Sequence, residues 1–76
     1  MGNVTTVLAS NITRLRKQSG LTQAALAVQL GITSQAVSKW ESGRAAPDVS
    51  LLPKLAELLG CDIDALFQPP REEAPA

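Results

Sequence analysis

At 76 residues the chain has room for one small domain, near the lower limit for a chain that folds without staples. Apolar residues make up 45% but aromatics only 3%, so Leu and Ala must supply the core; both are strong helix formers, and no segment alternates as a strand would. One cysteine and no histidine exclude an internal disulfide, a zinc site of ordinary ligand count and a Ser-His or Cys-His catalytic pair, while the formal net charge is zero.

In chain order, residues 1–5 are expected to be frayed. Met1 to Thr6 fits a loose myristoylation pattern, which we read as a chance match. The N-terminus lacks the basic start and apolar run of a secretion signal, and no apolar run approaches the roughly 20 residues of a membrane span. A first helix is predicted from Thr6 to Ser19, with Leu8, Ile12 and Leu15 at helical spacing and Gly20 as its stop. Val4 and Val7 extend its apolar face, and Arg16 and Lys17 occupy the last turn, where cations suit the helix dipole.

Thr22 is a good N-cap for a second helix running to Leu30, with Leu26, Ala27 and Leu30 on one face. Gly31 can take the left-handed conformation that ends a helix without steric cost. Only Ile32 and Thr33 separate it from a third helix, capped by Thr33, running to about Ser42 and stopped by Gly43. Val37 and Trp40 share that helix's inward face. So short a connection forces a steep crossing, and Ala27 faces it, where a larger side chain would push the helices apart. Residues 23–42 therefore have the layout of a helix-turn-helix, whose second helix is offered to the major groove of DNA.

Arg44 to Asp48 forms a loop. The fourth helix contains Pro53, harmless only in a first turn, so Ser50 is preferred over Asp48 as its N-cap. Leu51, Leu52, Leu55, Ala56, Leu58 and Leu59 give it a buried side, and Gly60 ends it. Asp62 is then expected to cap a short fifth helix carrying Ile63, Leu66 and Phe67. Residues 68–76, with three prolines and three charges, have nothing to bury and are expected to form a disordered tail. The predicted class is all-α, a compact five-helix bundle, with one domain over residues 6–67.

The zero net charge conceals a split. Residues 14–44 hold Arg14, Arg16, Lys17, Lys39 and Arg44 against Glu41 alone, a net +4. Residues 45–76 hold Lys54 and Arg71 against six acids, a net −4. The basic half coincides with the two-helix unit, so one face can meet phosphate while the other stays acidic.

Leu21-Thr22-Gln23, the Leu26-Ala27 pair, Gly31-Ile32-Thr33, the run Val37-Ser38-Lys39-Trp40-Glu41-Ser42-Gly43, and Pro47 resemble the phage-repressor-type helix-turn-helix domain (Cro/CI or XRE type, lambda-repressor-like). Leu55 to Gly60 and the Asp62–Phe67 turn fit the same domain, so the resemblance runs from about Leu8 to Phe67. It implies a five-helix DNA-binding domain that commonly works as a homodimer on a palindromic operator. It also implies that Arg16, near the end of the first helix, pairs with Glu41, and that both are structural. Ala24 and Ala25 depart from the family pattern, which often has acids there, as does Cys61, where a small aliphatic residue is usual; Cys61 is read as a small buried hydrophobe.

A helix in the major groove reads bases with its outward N-terminal residues, which here are Ser34, Gln35, Ser38 and Lys39. Gln can pair bidentately with adenine, Lys donates to guanine, and Ser is permissive; Ala36 can meet a thymine methyl. For phosphate contacts the candidates are Gln23 and Thr33 at the two helix N-termini, Arg44 just past the third helix, and Lys17 and Arg14. A dimer surface is expected from Leu58, Leu59, Ile63, Leu66 and Phe67, which exceed what a small core needs.

The reading is a sequence-specific transcription regulator, a repressor, acting in a bacterial or phage-encoded setting in the cytoplasm at the nucleoid. Its partners would be double-stranded DNA and a second copy, with no metal, cofactor or membrane and no enzymatic activity. The alternative is a protein-interaction module, antitoxin-like or an adaptor, whose acidic half meets a protein partner and which binds little DNA.

Overall fold

The computed structural model describes residues 4–69, and every described segment is helix, turn or loop. Helix α1 spans Val4–Gln18, α2 Gln23–Leu30, α3 Ser34–Glu41, α4 Leu52–Leu59 and α5 Ile63–Leu66, with a 3-10 turn over Val49–Leu51 leading into α4. The expected five-helix, all-α architecture is present. Val4 and Thr5, expected to be frayed, belong to α1, while residues 1–3 and 70–76 of the two expected loose ends lie outside the described residues.

Local chemistry explains the boundaries of the central unit. The Thr22 and Thr33 hydroxyls accept hydrogen bonds from the backbone amides of Ala25 and Ala36, at 3.0 and 3.2 Å, so each helix begins on a threonine cap. Gly31 has φ +73°, and the Ile32 amide after it donates to the Ala27 carbonyl at 3.0 Å. This closes α2 and turns the chain directly into α3. The same pairing recurs after α1, α3 and α4, where the amides of Leu21, Arg44 and Cys61 reach back to Arg16, Lys39 and Ala56.

The core draws on all five helices: Leu8 and Ile12, Leu26 and Ala27, Val37 and Trp40, Leu55, Ala56 and Leu59, and Leu66. Ala27 is fully enclosed where α2 and α3 pack together. Val7 is half-buried, whereas Val4 stands in solvent.

Two expectations need correction. Helix α4 does not start from a Ser50 cap. The Asp48 carboxylate accepts from the Ser50 amide and hydroxyl and starts the 3-10 turn, and Leu52 then opens the α-helix with Pro53 in its first turn. In one continuous helix an Asp48 start would leave Pro53 too deep; the 3-10 segment instead restarts the hydrogen-bond register. Leu59 and Leu66, expected at a dimer surface, are core residues at 4% and 0% exposure, because α5 folds back onto α1 and α4 and uses them to close the bundle.

What holds α5 in place is Asn11. Asp62 occupies the N-cap position of α5, but its side chain makes no capping bond. Asn11, wholly buried on α1, instead donates from Nδ2 to the carbonyls of Ala65, Leu66 and Gln68 at 3.2, 2.9 and 2.7 Å. Ala65 and Leu66 belong to the last turn of α5, where carbonyls run short of helical partners, and Gln68 lies just past it. Three acceptors share two N–H groups, and the Asn11 oxygen accepts from Arg14 Nη2 at 3.1 Å. Gln68, placed in the tail by sequence, is thus tied to α1.

Replacing Asn11 with Ala or Leu strands the buried Leu66 carbonyl, at about 1–3 kcal/mol, and removes the bonds to two partly buried carbonyls. A thermal melt followed by Trp40 fluorescence should shift down by roughly 10 °C or more, at ~4–8 °C per kcal/mol for a domain of this size. An unchanged midpoint would mean that α5 is held by apolar packing alone.

Candidate nucleic-acid interface

Helix α3 divides cleanly by phase. Val37 and Trp40 point into the core at 0% and 5% exposure, while Ser34, Gln35, Ser38 and Lys39 are all exposed and Ala36 is half-covered. The four residues expected to read bases therefore share the outer face of one short helix whose back is clamped by the core.

Beside that face sits an ion pair. Arg16 Nε donates to Glu41 Oε2 at 2.6 Å and Nη2 to Oε1 at 3.1 Å, a bidentate fork, while Nη1 donates to the Leu21 carbonyl at 2.7 Å. The two side chains retain only 11% and 7% of their exposure. Gln23, the first residue of α2, donates from Nε2 to Glu41 Oε1 at 3.0 Å. The carboxylate on α3 thus gathers α1 and the start of α2, and its Arg16 partner adds the α1–α2 turn. Burial alone would push the Glu41 carboxyl up, but the hydrogen bonds from Arg16 and Gln23 and the Arg16 charge outweigh it and hold the carboxyl below the ordinary carboxylate range. The bond to Glu41 likewise raises Arg16 against the opposing effect of burial. The pairing inferred for Arg16 and Glu41 is present.

The phosphate candidates separate. Thr33 is exposed at the α3 N-terminus; its oxygen accepts the Ala36 amide, which leaves the hydroxyl proton for another acceptor. Lys17 and Arg44 are exposed. Arg44 carries a further signal. At the other three glycine-closed helix ends, the residue after the glycine is Leu21, Ile32 or Cys61, each packed against the core. An apolar residue is the usual accompaniment of this closure. At α3 the position holds an exposed arginine instead, with its backbone fixed by the bond to Lys39.

Arg14 does not belong with them. It is half-buried, its Nη2 donates to Asn11, and its charge acts on the Cys61 thiol near α5. It lies one turn from Asn11 on the side of α1 that meets α5, so it is a packing arginine rather than a phosphate contact. Asn11 itself went unread in the sequence, although it stands three residues after Leu8, in the buried phase of α1. Cys61 is partly covered, and desolvation and Asp62 push its thiol up against the opposing charge of Arg14, as suits an unreactive helix-end hydrophobe. Ile63 and Phe67 keep 39% and 37% exposure and Leu58 is half-buried, so of the expected dimer residues these three remain at the surface.

An exposed polar recognition face, a neutralised acid beside it and two capped helices at a steep turn define a helix-turn-helix DNA-binding unit. The chain belongs to the helix-turn-helix family, whose model matches residues 12–66. It is 36% identical over 62 residues to the SPbeta prophage-derived uncharacterized HTH-type transcriptional regulator YonR of Bacillus subtilis, covering 82% of this chain and 57% of that protein. It is 38% identical over 66 residues to the uncharacterized HTH-type transcriptional regulator y4dJ of Sinorhizobium fredii, covering 87% of this chain and 86% of the relative.

Among solved structures it is similar to the P22 c2 repressor bound to a synthetic operator, with TM-score 0.76 and 31% identity over 80% of this chain and 92% of that one. It also resembles part of the hydroxypropylphosphonic acid epoxidase of S. wedmorenis, with TM-score 0.80 and 33% identity, but there it spans only 37% of the enzyme. No described helix is long and apolar enough to cross a membrane.

Removing either Arg16 or Glu41 alone leaves a buried charge unpaired and should cost about 3–5 kcal/mol at neutral pH, with the R16E/E41R double variant recovering part of the loss. Because Glu41 is lowered from its ordinary 4.5, the unfolded chain takes up the proton first. The pair's contribution is complete above that value and disappears as pH falls through the folded one. Urea unfolding followed at Trp40 should show this acid loss in the wild type and lack it in E41Q; parallel pH profiles would remove Glu41 from the account.

Proposed function

We propose that the chain is a sequence-specific transcription regulator, a repressor, that binds a palindromic operator as a homodimer with α3 in the major groove. The observation that carries this reading is the outer face of α3, where Ser34, Gln35, Ser38 and Lys39 stand exposed on a helix held from behind by Val37 and Trp40. Gln35 and Lys39 supply the hydrogen-bond chemistry for adenine and guanine edges, with Ser34 and Ser38 between them. Gln23, Thr33, Arg44 and Lys17 contact phosphates and set the register of the helix. The operator-bound P22 c2 repressor supports this docking by its likeness to the chain.

Dimerisation follows from size and surface. One domain of this length buries too little area on DNA to discriminate among genomic sites. Ile63 on α5 and Phe67 at its C-cap, with half-buried Leu58 of α4, supply the apolar surface that a second copy would cover. The regulator acts in the cytoplasm at the nucleoid, and its acidic half faces away from DNA, open to a protein partner.

Lys39→Glu should abolish the sequence-dependent shift of target duplex in a gel at low salt, while leaving the melting midpoint within a few degrees. Wild-type affinity should fall steeply with salt, and Arg44→Ala should flatten that slope by about one unit. A protein-interaction module would be indifferent to K39E and would give no sequence-dependent, salt-dependent complex. Phe67→Glu should shift the sedimentation of the free protein to monomer and weaken operator binding; an unchanged sedimentation coefficient would place the dimer surface elsewhere.

A further inference from the structure

The ion pair leaves one feature unexplained: Gln23. A glutamine at the start of a helix has no structural need to reach the far end of the next helix. Here it spends an N–H on a carboxylate whose two oxygens Arg16 already contacts. We propose that Glu41 is a positioning residue for DNA binding, holding the Gln23 amide so that its remaining N–H group is presented to a backbone phosphate. This rests on the reading of the chain as a DNA-binding regulator and adds to it a second role for the brace.

The chemistry sets the direction of the amide. A carboxylate only accepts, so the Gln23 nitrogen, not its oxygen, must face Glu41. That nitrogen has two hydrogens and Oε1 takes one. The other remains on the first residue of α2, a helix start at which the backbone amides of Gln23 and Ala24 precede the first helical hydrogen bond. Three donors then share one end of the helix, where the dipole also favours an anion. Without the carboxylate the amide is free to turn its oxygen outward, placing an acceptor against the phosphate oxygens. Rotamer freedom that a loose glutamine would lose on binding is already lost in the free protein.

Electrostatics permits the arrangement. A bare carboxylate so close to a phosphate site would repel it. Glu41 has its charge matched by Arg16 in a bidentate contact, with both side chains nearly buried, so the pair presents an oriented acceptor with no net charge. Helix α2 also carries no acid of its own, Ala24 and Ala25 occupying its first turn.

The test compares wild type, Q23A, the paired apolar replacement R16M/E41L and the triple variant on one operator duplex, with each variant's folded fraction read from Trp40. The paired replacement removes Glu41 without leaving Arg16 buried and unpaired. Q23A should weaken binding roughly 3- to 10-fold, the net effect of one lost hydrogen bond, with an unchanged salt slope because no charge is removed. R16M/E41L should lose a similar factor at equal folded fraction, and adding Q23A to it should then cost much less than in the wild type. Full additivity, or wild-type affinity in R16M/E41L, would overturn the proposal.

Side-chain amide relaxation in the free wild-type protein gives a second readout that needs no variant. The Gln23 NH2 group should be as rigid as the backbone, whereas those of exposed Gln29 and Gln35 should be mobile. A mobile Gln23 overturns the positioning role even if DNA binding is normal. Absence of any sequence-dependent DNA complex, with Gln23 rigid, would instead overturn the functional reading on which the proposal rests.

Discussion

A carboxylate in the middle of a basic, DNA-facing unit has to be neutralised, and the solution adopted for Glu41 organises the first half of the molecule. The Arg16 fork reaches it from α1 and also holds the Leu21 carbonyl, so the turn between α1 and α2 is fixed by the same guanidinium that pairs with α3. Gln23 adds the start of α2. Breaking a buried pair of this kind by removing one partner costs far more than the pair contributes over an apolar substitute. Its value is therefore specificity of arrangement: it sets how α3 stands relative to α1 and α2, and the recognition face is no better aligned than that relation allows.

The opposite end of the bundle is fixed by a neutral version of the same device. Asn11 gathers carbonyls at and just past the end of α5 as Glu41 gathers donors from α1 and the start of α2. A helix of four residues has little stability of its own. With Asn11 in place, Ile63 and the C-cap residue Phe67 stand outward while Leu66 closes the core. The two polar nodes, one on each side of α1, thus support two different surfaces, one basic and one apolar.

The fold was legible where its causes are local. Thr22, Thr33 and the glycines at the helix ends announce themselves within a few residues, and the phase of Val37 and Trp40 fixes which side of α3 faces out. What escaped was chemistry between distant residues. Asn11 finds its partners more than 50 positions away, so its buried phase was visible but its purpose was not. Arg14, one turn further on, read as a free cation because nothing nearby in sequence claims it. Leu59 and Leu66 looked surplus because the bundle closed by α5 is larger than the leucine pattern suggested. The start of α4 was missed because Asp48 begins a 3-10 turn rather than an α-helix. For the site, the outward residues of α3 and the Arg16–Glu41 pair were foreseen, the pair through the family resemblance, whereas the bond from Gln23 to Glu41 was not.

The central claim is that two copies of this unit present α3 to two half-sites of one operator. Selection of bound duplexes from a random pool tests it most directly. The account predicts enrichment of an inverted repeat whose half-sites are centred about one helical turn apart, roughly 10–10.5 base pairs, as symmetric copies with recognition helices ~34–36 Å apart require. A pool that remains random after repeated rounds at low salt, or one that converges on a single half-site without symmetry, would contradict it.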